Sequence, residues 1–432
     1  MNREICNVLV IGMDLVGLAR SARRAGYDVY AADYFGDLDL RGACEECLSI
    51  TKQRAGVSSG RIESNFQPEA FLEMARAISE RTQLDAILLS SGLDDRYDVL
   101  HELNELIPIL GNLPETIRKV RERDTFFEEL RRLGIPHPNT AVVGSLDDAR
   151  NSAKEVGFPV VLKPRAGFSG AAVRKAEDEL QLERAFREVE ALSGGGALIQ
   201  EYVGGTHASI SLMASSTETR ILSVNEQLLG LSEVHQREPF GYCGNIVPLR
   251  VEDSTREECE GIAERISHHF GLRGSNGIDM VISESGVPYV IEVNPRFQGT
   301  LECVERALGL NPVRAHVDAC LDDSLPRRVS EPAEFVTRLV LYAPERAAAP
   351  DLTAFEDVRD IPLPGAIIEK GEPLCSVIAV DGRRRGSLRR AHERADSIYR
   401  MLHQRSNSMQ MRDPFRSMKD LRKRLGQGLM AL

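Results

Sequence analysis

Short apolar runs alternate with helical periodicity along the first hundred residues. Residues 6–12 form a continuous apolar run, a helix is predicted over Leu15–Ala25, and a second strand is predicted over Asp28–Ala32. A later apolar run, Ala86–Ser90, leads into the polar segment Ser91–Asp95. This order predicts a βαβ unit with a parallel sheet, and such sheets bind ligands beyond the carboxyl ends of their strands. The polar segment is therefore a candidate binding site, although a structural turn explains its Ser-Gly pair equally well.

The first βα turn admits two interpretations. Its loop runs from Gly12 to Gly17, and the next strand ends at Asp33, as in a dinucleotide site with an acidic residue on the ribose. The loop lacks the middle glycine that lets a pyrophosphate approach the backbone. A turn without a dinucleotide is therefore favoured, and an NAD-dependent oxidoreductase is a minor alternative.

The pattern changes after Gly111–Pro114, where a charged amphipathic helix is predicted over 115–133. A strand over Pro159–Leu162 then delivers Lys163, which a loop of small residues follows. Amides of such a loop can cradle phosphate oxygens beside a lysine, although a glycine-rich hairpin tip has the same character. The other elements predicted up to residue 270 are helices over 147–156, 178–193 and 254–270 and strands over Thr140–Val143, Ala197–Val203, 207–214 and 219–228.

Residues 276–298 carry the most informative pattern in the chain. Two apolar strands separated by a Gly-Val-Pro turn bear Asp279 on the first strand and Glu292 and Asn294 on the second. Because side chains alternate along a strand, Glu292 and Asn294 lie on one face. Two carboxylates and an amide, with Arg296 nearby, form the oxygen-rich set that magnesium shares with substrate phosphates. Solvated acids at a strand edge are the alternative, but apolar neighbours indicate buried carboxylates, which need partners.

The last third of the chain is predicted to contain both helices and short strands. Two helices over 300–322 precede a linker, 323–334, and a segment over 335–380 in which short strands alternate with proline and glycine turns. A helix over 384–403 leads to a basic tail, 404–432. A solvated tail is expected, and a nucleic-acid-binding arm is the minor alternative.

Composition narrows the class of protein. A chain of 432 residues is too long for one core and suggests about three domains. The net charge of −11 argues against a nucleic-acid or membrane-surface partner, and no apolar run approaches a membrane span. The chain reads from Met1 directly into a strand, so a cytoplasmic protein is expected. One Cys-x-x-Cys pair, Cys44 and Cys47, is too little for zinc, and no Walker A sequence occurs.

Several segments, in order, resemble the ATP-grasp superfamily, and most closely its predicted ATP-dependent carboligases related to biotin carboxylase. The most specific are Pro159–Pro164, Leu198–Val203, Gly277–Asp279 and Ile291–Arg296. The resemblance implies an α/β and α+β fold. Its parts are a Rossmann-like pre-domain (1–112), a two-lobe ATP-grasp clamp (113–327), a small β-rich C-terminal domain (333–403) and the basic tail (404–432).

The resemblance also implies roles for individual residues. Lys163 matches the lysine on the α- and β-phosphates, and Arg296 matches the arginine beside the transferred group, so both are assigned to catalysis. Residues 166–171 match a loop that covers the phosphates. The implied ATP contacts are Arg123, Lys163, Gly167, Ser169, Gly170, Gln200, Glu201, Tyr202, Val203 and His207. The implied magnesium ligands are Asp279, Glu292 and Asn294, with manganese as the other metal considered.

Two positions depart from the family pattern. Arg123, with Lys119 one turn earlier, stands where the first nucleotide-binding lysine is expected, and an arginine can still hold a phosphate bidentately. His207 stands where an acidic residue usually holds the ribose, so Glu201 or Glu226 is the candidate substitute. A merely packed His207 is an equal alternative.

The implied activity is magnesium-dependent ligation, at the expense of ATP, of a small carboxylate or bicarbonate to an amine, thiol or other nucleophile through an acyl phosphate. A homo-oligomer is among the expected assemblies. The alternatives are a non-catalytic nucleotide-binding or scaffold protein of this fold and a biotin-carboxylase-like carboxylase. Substrate contacts are expected from Asp33–Asp37, Ser90–Asp95, Phe240–Asn245 and Gln298–Thr300.

Overall fold

The computed structural model describes residues 5–165, 172–193, 195–327 and 332–411. The N-terminal part contains a parallel four-stranded sheet in the order β3-β2-β1-β4. Its strands are β1 (Asn7–Gly12), β2 (Asp28–Asp33), β3 (Glu46–Ser49) and β4 (Ala86–Leu89). Its helices are α1 (Val16–Arg24), α2 (Leu38–Arg41), α3 (Ile62–Asn65), α4 (Glu69–Ser79) and α5 (Tyr97–Leu106). The predicted βαβ opening is confirmed.

Both faces of this sheet are buried, which explains why β1 reads as an unbroken apolar run. Leu9 and Ile11 belong to an apolar cluster that includes residues of α4 and α5. Val8 and Val10 belong to a second cluster, on the opposite face, that includes residues of α1. The sheet therefore holds the loops after β1 and β4 side by side.

The single helix predicted over 115–133 is wrong. The structure has α6 (Pro114–Arg121) and α7 (Arg123–Arg132), separated at Glu122, whose φ of −72° and ψ of 96° are extended. A continuous helix would turn Arg121 and Arg123 about 200° apart around its axis. The break lets both side chains point to one partner, as described below, while Phe126 of α7 stays fully buried.

A small antiparallel sheet follows, in the order β5-β8-β6-β7. It is formed by β5 (Thr140–Val143), β6 (Val160–Pro164), β7 (Arg174–Ala176) and β8 (Ala197–Glu201), with α8 (Leu146–Val156) and α9 (Glu179–Ser193). Val160 and Leu162 of β6 are buried in a core that also contains Phe186 of α9. This packing fixes β6, at whose end Lys163 lies.

The largest sheet has eight strands in the order β13-β12-β9-β10-β11-β14-β18-β16. Its strands are β9 (Gly205–Ala214), β10 (Thr219–Leu229), β11 (Tyr242–Val247), β12 (Gly274–Ser283), β13 (Pro288–Asn294), β14 (Phe335–Tyr342), β16 (Val358–Arg359) and β18 (Pro373–Asp381). A separate pair consists of β15 (Ala347–Ala348) and β17 (Ile367–Ile368). The pairing of β11 with β14 carries one sheet across the linker. Strand β11 was not predicted, and the domain boundaries stay predictions.

The remaining helices flank this sheet and close the chain. They are α10 (Asp253–Phe270), α11 (Leu301–Leu308), α12 (Pro312–Leu321) and α13 (Arg384–Met411). Helix α13 extends past the predicted helix end at residue 403, and 412–432 lie outside the described residues. In the part of the chain that the structure describes, no helix is long and apolar enough to cross a membrane.

Candidate active site

Strands β12 and β13 form an antiparallel hairpin that brings the three predicted metal ligands together. Its register places Asp279 opposite Glu292. The amide Nδ2 of Asn294 donates a hydrogen bond to Oδ2 of Asp279 over 3.0 Å. The strand pattern therefore predicts their proximity correctly, while their role as metal ligands stays a prediction.

Two arginines hold the carboxylate of Glu292. Nη1 of Arg121 and Nη2 of Arg123 both donate to Oε2 of Glu292, over 3.3 Å and 2.9 Å. Burial alone would raise the pKa of Glu292, but the two guanidinium groups lower it well below its usual range. Sequence analysis missed Arg121, which is almost fully buried although it lies in a charged helix. The signal for it was its position on the apolar face of α6, four residues after Ile117.

Asp279 lies in the opposite electrostatic environment. Burial raises its pKa, and the neighbouring charge of Glu292 raises it further. A divalent cation between these carboxylates would favour the ionised form of both. Among the described residues no cluster of three or more His, Cys, Asp or Glu side chains is placed to hold a metal. A magnesium ion here would therefore use two carboxylates, the Asn294 amide and oxygens of its other ligands, which suits its preference for oxygen.

Lys163 is held at the end of β6 by side chains of the small sheet. Its Nζ donates to Oε1 of Gln200 over 2.7 Å, and Nε2 of Gln200 donates in turn to Oγ1 of Thr140 over 2.8 Å. Burial lowers the pKa of Lys163 to about 8, against the opposing attraction of Glu292. The ammonium therefore faces the metal-site acids without an ion pair of its own among the described residues.

Arg296 is anchored by the first domain. Its Nε donates to Oδ1 of Asp94 over 2.9 Å, and its Nη2 donates to Oδ1 of Asn294 over 3.0 Å. Burial opposes ionisation of Asp94, but Arg296 and Arg121 together lower its pKa. The predicted catalytic arginine thus lies beside the predicted metal ligands, with its guanidinium fixed by the segment after β4.

Four of the predicted ATP contacts, Gln200, Glu201, Tyr202 and Val203, lie in one segment at the end of β8. Gln200 is occupied by Lys163, and Oε2 of Glu201 accepts hydrogen bonds from the backbone N–H and Nδ2 of Asn139 over 3.1 Å and 3.0 Å. Nζ of Lys175 lies 4.0 Å from the ring centre of Tyr202. Val203 directly follows them.

The remaining nucleotide predictions have different outcomes. Gly167, Ser169 and Gly170 lie outside the described residues. His207 on β9 is half-buried, and burial together with Lys163 lowers its pKa. Oε2 of Glu226 accepts from Nε of Arg384 over 2.6 Å, which leaves Glu226 a poor substitute for a ribose-binding acid.

Three of the four predicted substrate segments meet around Asp14 and Arg338. Nη1 and Nη2 of Arg338 donate to the two oxygens of Asp14, over 2.8 Å and 3.0 Å, and Nη1 also donates to the carbonyl oxygen of Gly299. Oγ of Ser90 donates to the carbonyl oxygen of Asp14. A Cβ on Gly299 would lie 3.0 Å from the hydroxyl oxygen of Tyr242. Asp37, in the fourth segment, lies close to Asp360, which also accepts from Arg338.

The glycines of the first βα turn have packing roles. A Cβ on Gly12 would lie 2.6 Å from the carbonyl oxygen of Ser91, so the contact between β1 and the segment after β4 requires glycine. A Cβ on Gly17 would touch the side chain of Glu302 at 3.6 Å. Glu302 therefore lies against the helix start where a dinucleotide pyrophosphate binds in a Rossmann unit.

Residues 121–300 match the family model of the ATP-grasp domain. The chain contains an ATP-grasp domain. This segment holds the site residues Arg121, Lys163, Asp279, Glu292, Asn294 and Arg296.

Relatives extend the similarity beyond the ATP-grasp domain. The chain is 26% identical to an uncharacterised protein of Methanocaldococcus jannaschii over 86% of this chain and 87% of that one. It is also 26% identical to the N-terminal section of the carbamoyl phosphate synthase large chain of Methanopyrus kandleri, over 70% of this chain but 54% of that one. The chain thus spans about half the length of this second relative.

A solved structure shows the same overall fold. The biotin carboxylase of Campylobacter jejuni superposes with a TM-score of 0.71 over 90% of each chain, at 18% identity. The predicted fold class is therefore confirmed, with the ATP-grasp domain between a parallel N-terminal sheet and C-terminal strands.

Proposed function

We propose that this protein is an ATP-dependent ligase that joins a small carboxylate to a nucleophile, most simply an amine, through an acyl phosphate. The observation that carries the proposal is the convergence of Asp279, Glu292 and Asn294 with Lys163 and Arg296, inside the ATP-grasp domain and beside the first domain. Carbamoyl phosphate synthase, to which the chain is similar, supports ligase chemistry. ATP and magnesium are the proposed cosubstrate and metal.

The charges of the site suit phosphoryl transfer. A carboxylate oxygen of the acid attacks the γ-phosphorus of ATP, and the bond between that phosphorus and the bridging oxygen of ADP breaks. Lys163 and Arg296 supply positive charge to the transferred group, and Asp94 and Gln200 fix where those charges lie. When bound at Asp279, Glu292 and Asn294, magnesium supplies further charge beside the β- and γ-phosphates.

The second half-reaction needs a nucleophile rather than a dedicated enzyme base. The nucleophile attacks the acyl carbon, phosphate leaves with the electron pair of the C–O bond, and a proton is lost from the nucleophile. Positioning of the two substrates contributes most to such a reaction. We propose that the segments around Asp14 and Arg338 bind the substrates, since they adjoin Arg296 through residues 297–299.

A screen of carboxylate and amine pairs tests the proposed function. ADP formation that requires both substrates, with the mass of the ligated product, is the expected result. Bicarbonate with an acceptor is included because the fold is that of a biotin carboxylase. ATP binding without ADP formation for any pair would favour a non-catalytic nucleotide-binding protein. A cytoplasmic location and self-association belong to the same proposal.

A further inference from the structure

The metal-site hairpin and the first domain are joined by a closed ring of side chains. One half runs from Asp95 through Arg121 to Glu292. The other half runs from Asp94 through Arg296 and Asn294 to Asp279, and the two halves close where Asp279 faces Glu292. The ring begins and ends on two consecutive residues of the segment that follows β4.

Arg121 is the central connection on the first side of this ring. Its Nε and Nη2 donate to the two oxygens of Asp95 over 3.1 Å and 3.3 Å, and its Nη1 donates to Glu292. The side chain of Arg121 is only 4% exposed, against 26% for Asp95 and 29% for Glu292. The planar fork of this buried arginine donates to both carboxylates at once, and this restricts the orientation of its guanidinium group.

A purely structural role is the competing explanation, and the chain contains a suitable comparison. Arg359, as buried as Arg121, pairs with Glu302 between the C-terminal strands and α11, and the two side chains are 4% and 7% exposed. That pair contacts none of the predicted metal ligands in the described residues. The Asp95–Arg121 connection differs because its far end is a predicted metal ligand. Together with Arg123, this connection therefore holds the Oε2 atom of that ligand.

We propose that Asp94, Asp95 and Arg121 are positioning residues for the magnesium–nucleotide site. This inference rests on the proposed function. Asp95 fixes Arg121, which fixes the oxygen of Glu292, while Asp94 fixes Arg296 and through it Asn294. The segment 90–95, which is also a proposed substrate segment, thereby aligns both strands of the hairpin. Binding of magnesium with nucleotide is strengthened when that segment is in place.

Calorimetry tests the proposal. It measures the binding of ADP over a series of magnesium concentrations and again in EDTA. The variants are Asp95→Asn and Arg121→Lys, which keep size or charge but disturb the bidentate pair. In these variants, the magnesium concentration that gives half-maximal strengthening of ADP binding should rise roughly 10- to 100-fold. Loss of groups that orient metal ligands has an effect of this size. Affinity for ADP in EDTA should stay unchanged. Because lysine keeps the positive charge, Arg121→Lys should retain part of the strengthening of ADP binding by magnesium that the parent protein shows.

The matched control is Arg359→Lys, which disturbs the comparison pair. It should lower the unfolding temperature without moving the magnesium dependence. Unchanged magnesium dependence in a folded Asp95→Asn protein would overturn the proposal, and this variant decides the outcome if Arg121→Lys does not fold. An equal loss of ADP affinity with and without magnesium would also overturn it. Absence of magnesium-dependent ADP binding in the parent protein would instead overturn the proposed function itself.

Discussion

Asp94 and Arg296 form an ion pair between positions 202 residues apart, with Oδ1 of Asp94 2.9 Å from Nε of Arg296. Their side chains are only 8% and 14% exposed. A buried charge that loses its partner is strongly destabilising. Separating these two residues is therefore costly, and the pair holds the segment after β4 against the end of β13. The catalytic arginine predicted from the sequence is thus positioned by a residue outside the matched family segment.

The sharpest test of the proposed metal site is Glu292→Gln. The substitution keeps the size of the side chain but removes the negative charge that Arg121 and Arg123 contact. Magnesium would then hold the phosphates poorly during transfer. We expect magnesium-dependent ATP turnover to fall by about 10²- to 10³-fold, comparable to loss of a transition-state contact. Turnover is measured as ADP formed with the substrate pair found in the screen.

Asp279→Asn is the companion variant. Because burial and Glu292 raise the pKa of Asp279, an uncharged amide suits the metal-free site. The variant should therefore unfold at or above the temperature of the parent protein without magnesium, while losing turnover as severely as Glu292→Gln. Near-parental turnover in both variants would contradict the metal-site assignment.

A second prediction concerns nucleotide affinity and pH. Lys163 has a pKa of about 8 because it is buried, and phosphate binding requires its charged form. As pH rises above that value the free protein loses this charge, so nucleotide binding must take up a proton and weakens. ADP affinity should be lower at about pH 9 than at about pH 7. In Lys163→Met, affinity should be lower at both pH values and the difference should disappear. An equal pH effect in both proteins would assign the titration to another group.

The local pattern of apolar and polar residues predicted most of the helices and strands, because each element depends on which side chains of its own segment are buried. Strand β1 is apolar on both faces, and in β13 the polar residues Glu292 and Asn294 flank the buried Val293. These features depend on neighbours in the chain. The sequence therefore predicts the proximity of Asp279, Glu292 and Asn294.

Long-range partners could not be predicted in the same way. Arg121 lies four residues after Ile117, on the buried face of α6, but its partner Glu292 is 171 residues away. The side chain of Gln200 meets Lys163 across the pairing of β6 and β8, a contact that the spacing of the two residues in the sequence does not indicate. Strand β11 was missed; it pairs with the preceding strand β10 on one side and with β14, from a distant segment, on the other. In each case the deciding contact is tertiary.

A third prediction concerns acid stability through His316. Its Nδ1 accepts from the backbone N–H of Ser275 over 2.8 Å, and its Nε2 lies 3.0 Å from the carbonyl oxygen of Leu110, so the neutral ring satisfies both contacts. Burial lowers its pKa to about 4. In the unfolded chain the pKa is about 6.5, so the unfolded state binds the proton more strongly. Stability contributed by His316 is therefore present above about pH 6.5 and is lost as pH falls toward 4.

The experiment compares the free energy of unfolding of the parent and of His316→Asn across this range. The loss attributable to His316 should approach about 3 kcal/mol between the two limits. Other titrating groups, such as the buried Asp39 with its pKa raised to about 6, cancel in the difference between the two proteins. Parallel curves would show that His316 does not titrate in this range.

The fourth prediction separates two explanations of Gly12. Its φ is +144°, and a Cβ would lie 2.6 Å from the carbonyl oxygen of Ser91. Gly12→Ala should therefore add a collision between the segments after β1 and β4 to backbone strain of about 1–3 kcal/mol. Gly26 provides the control, because its φ is +94° but a Cβ would meet nothing within 4 Å. In denaturant unfolding, Gly12→Ala should lose clearly more stability than Gly26→Ala. Equal losses would mean that packing does not require Gly12, and the dinucleotide interpretation of this turn would regain support.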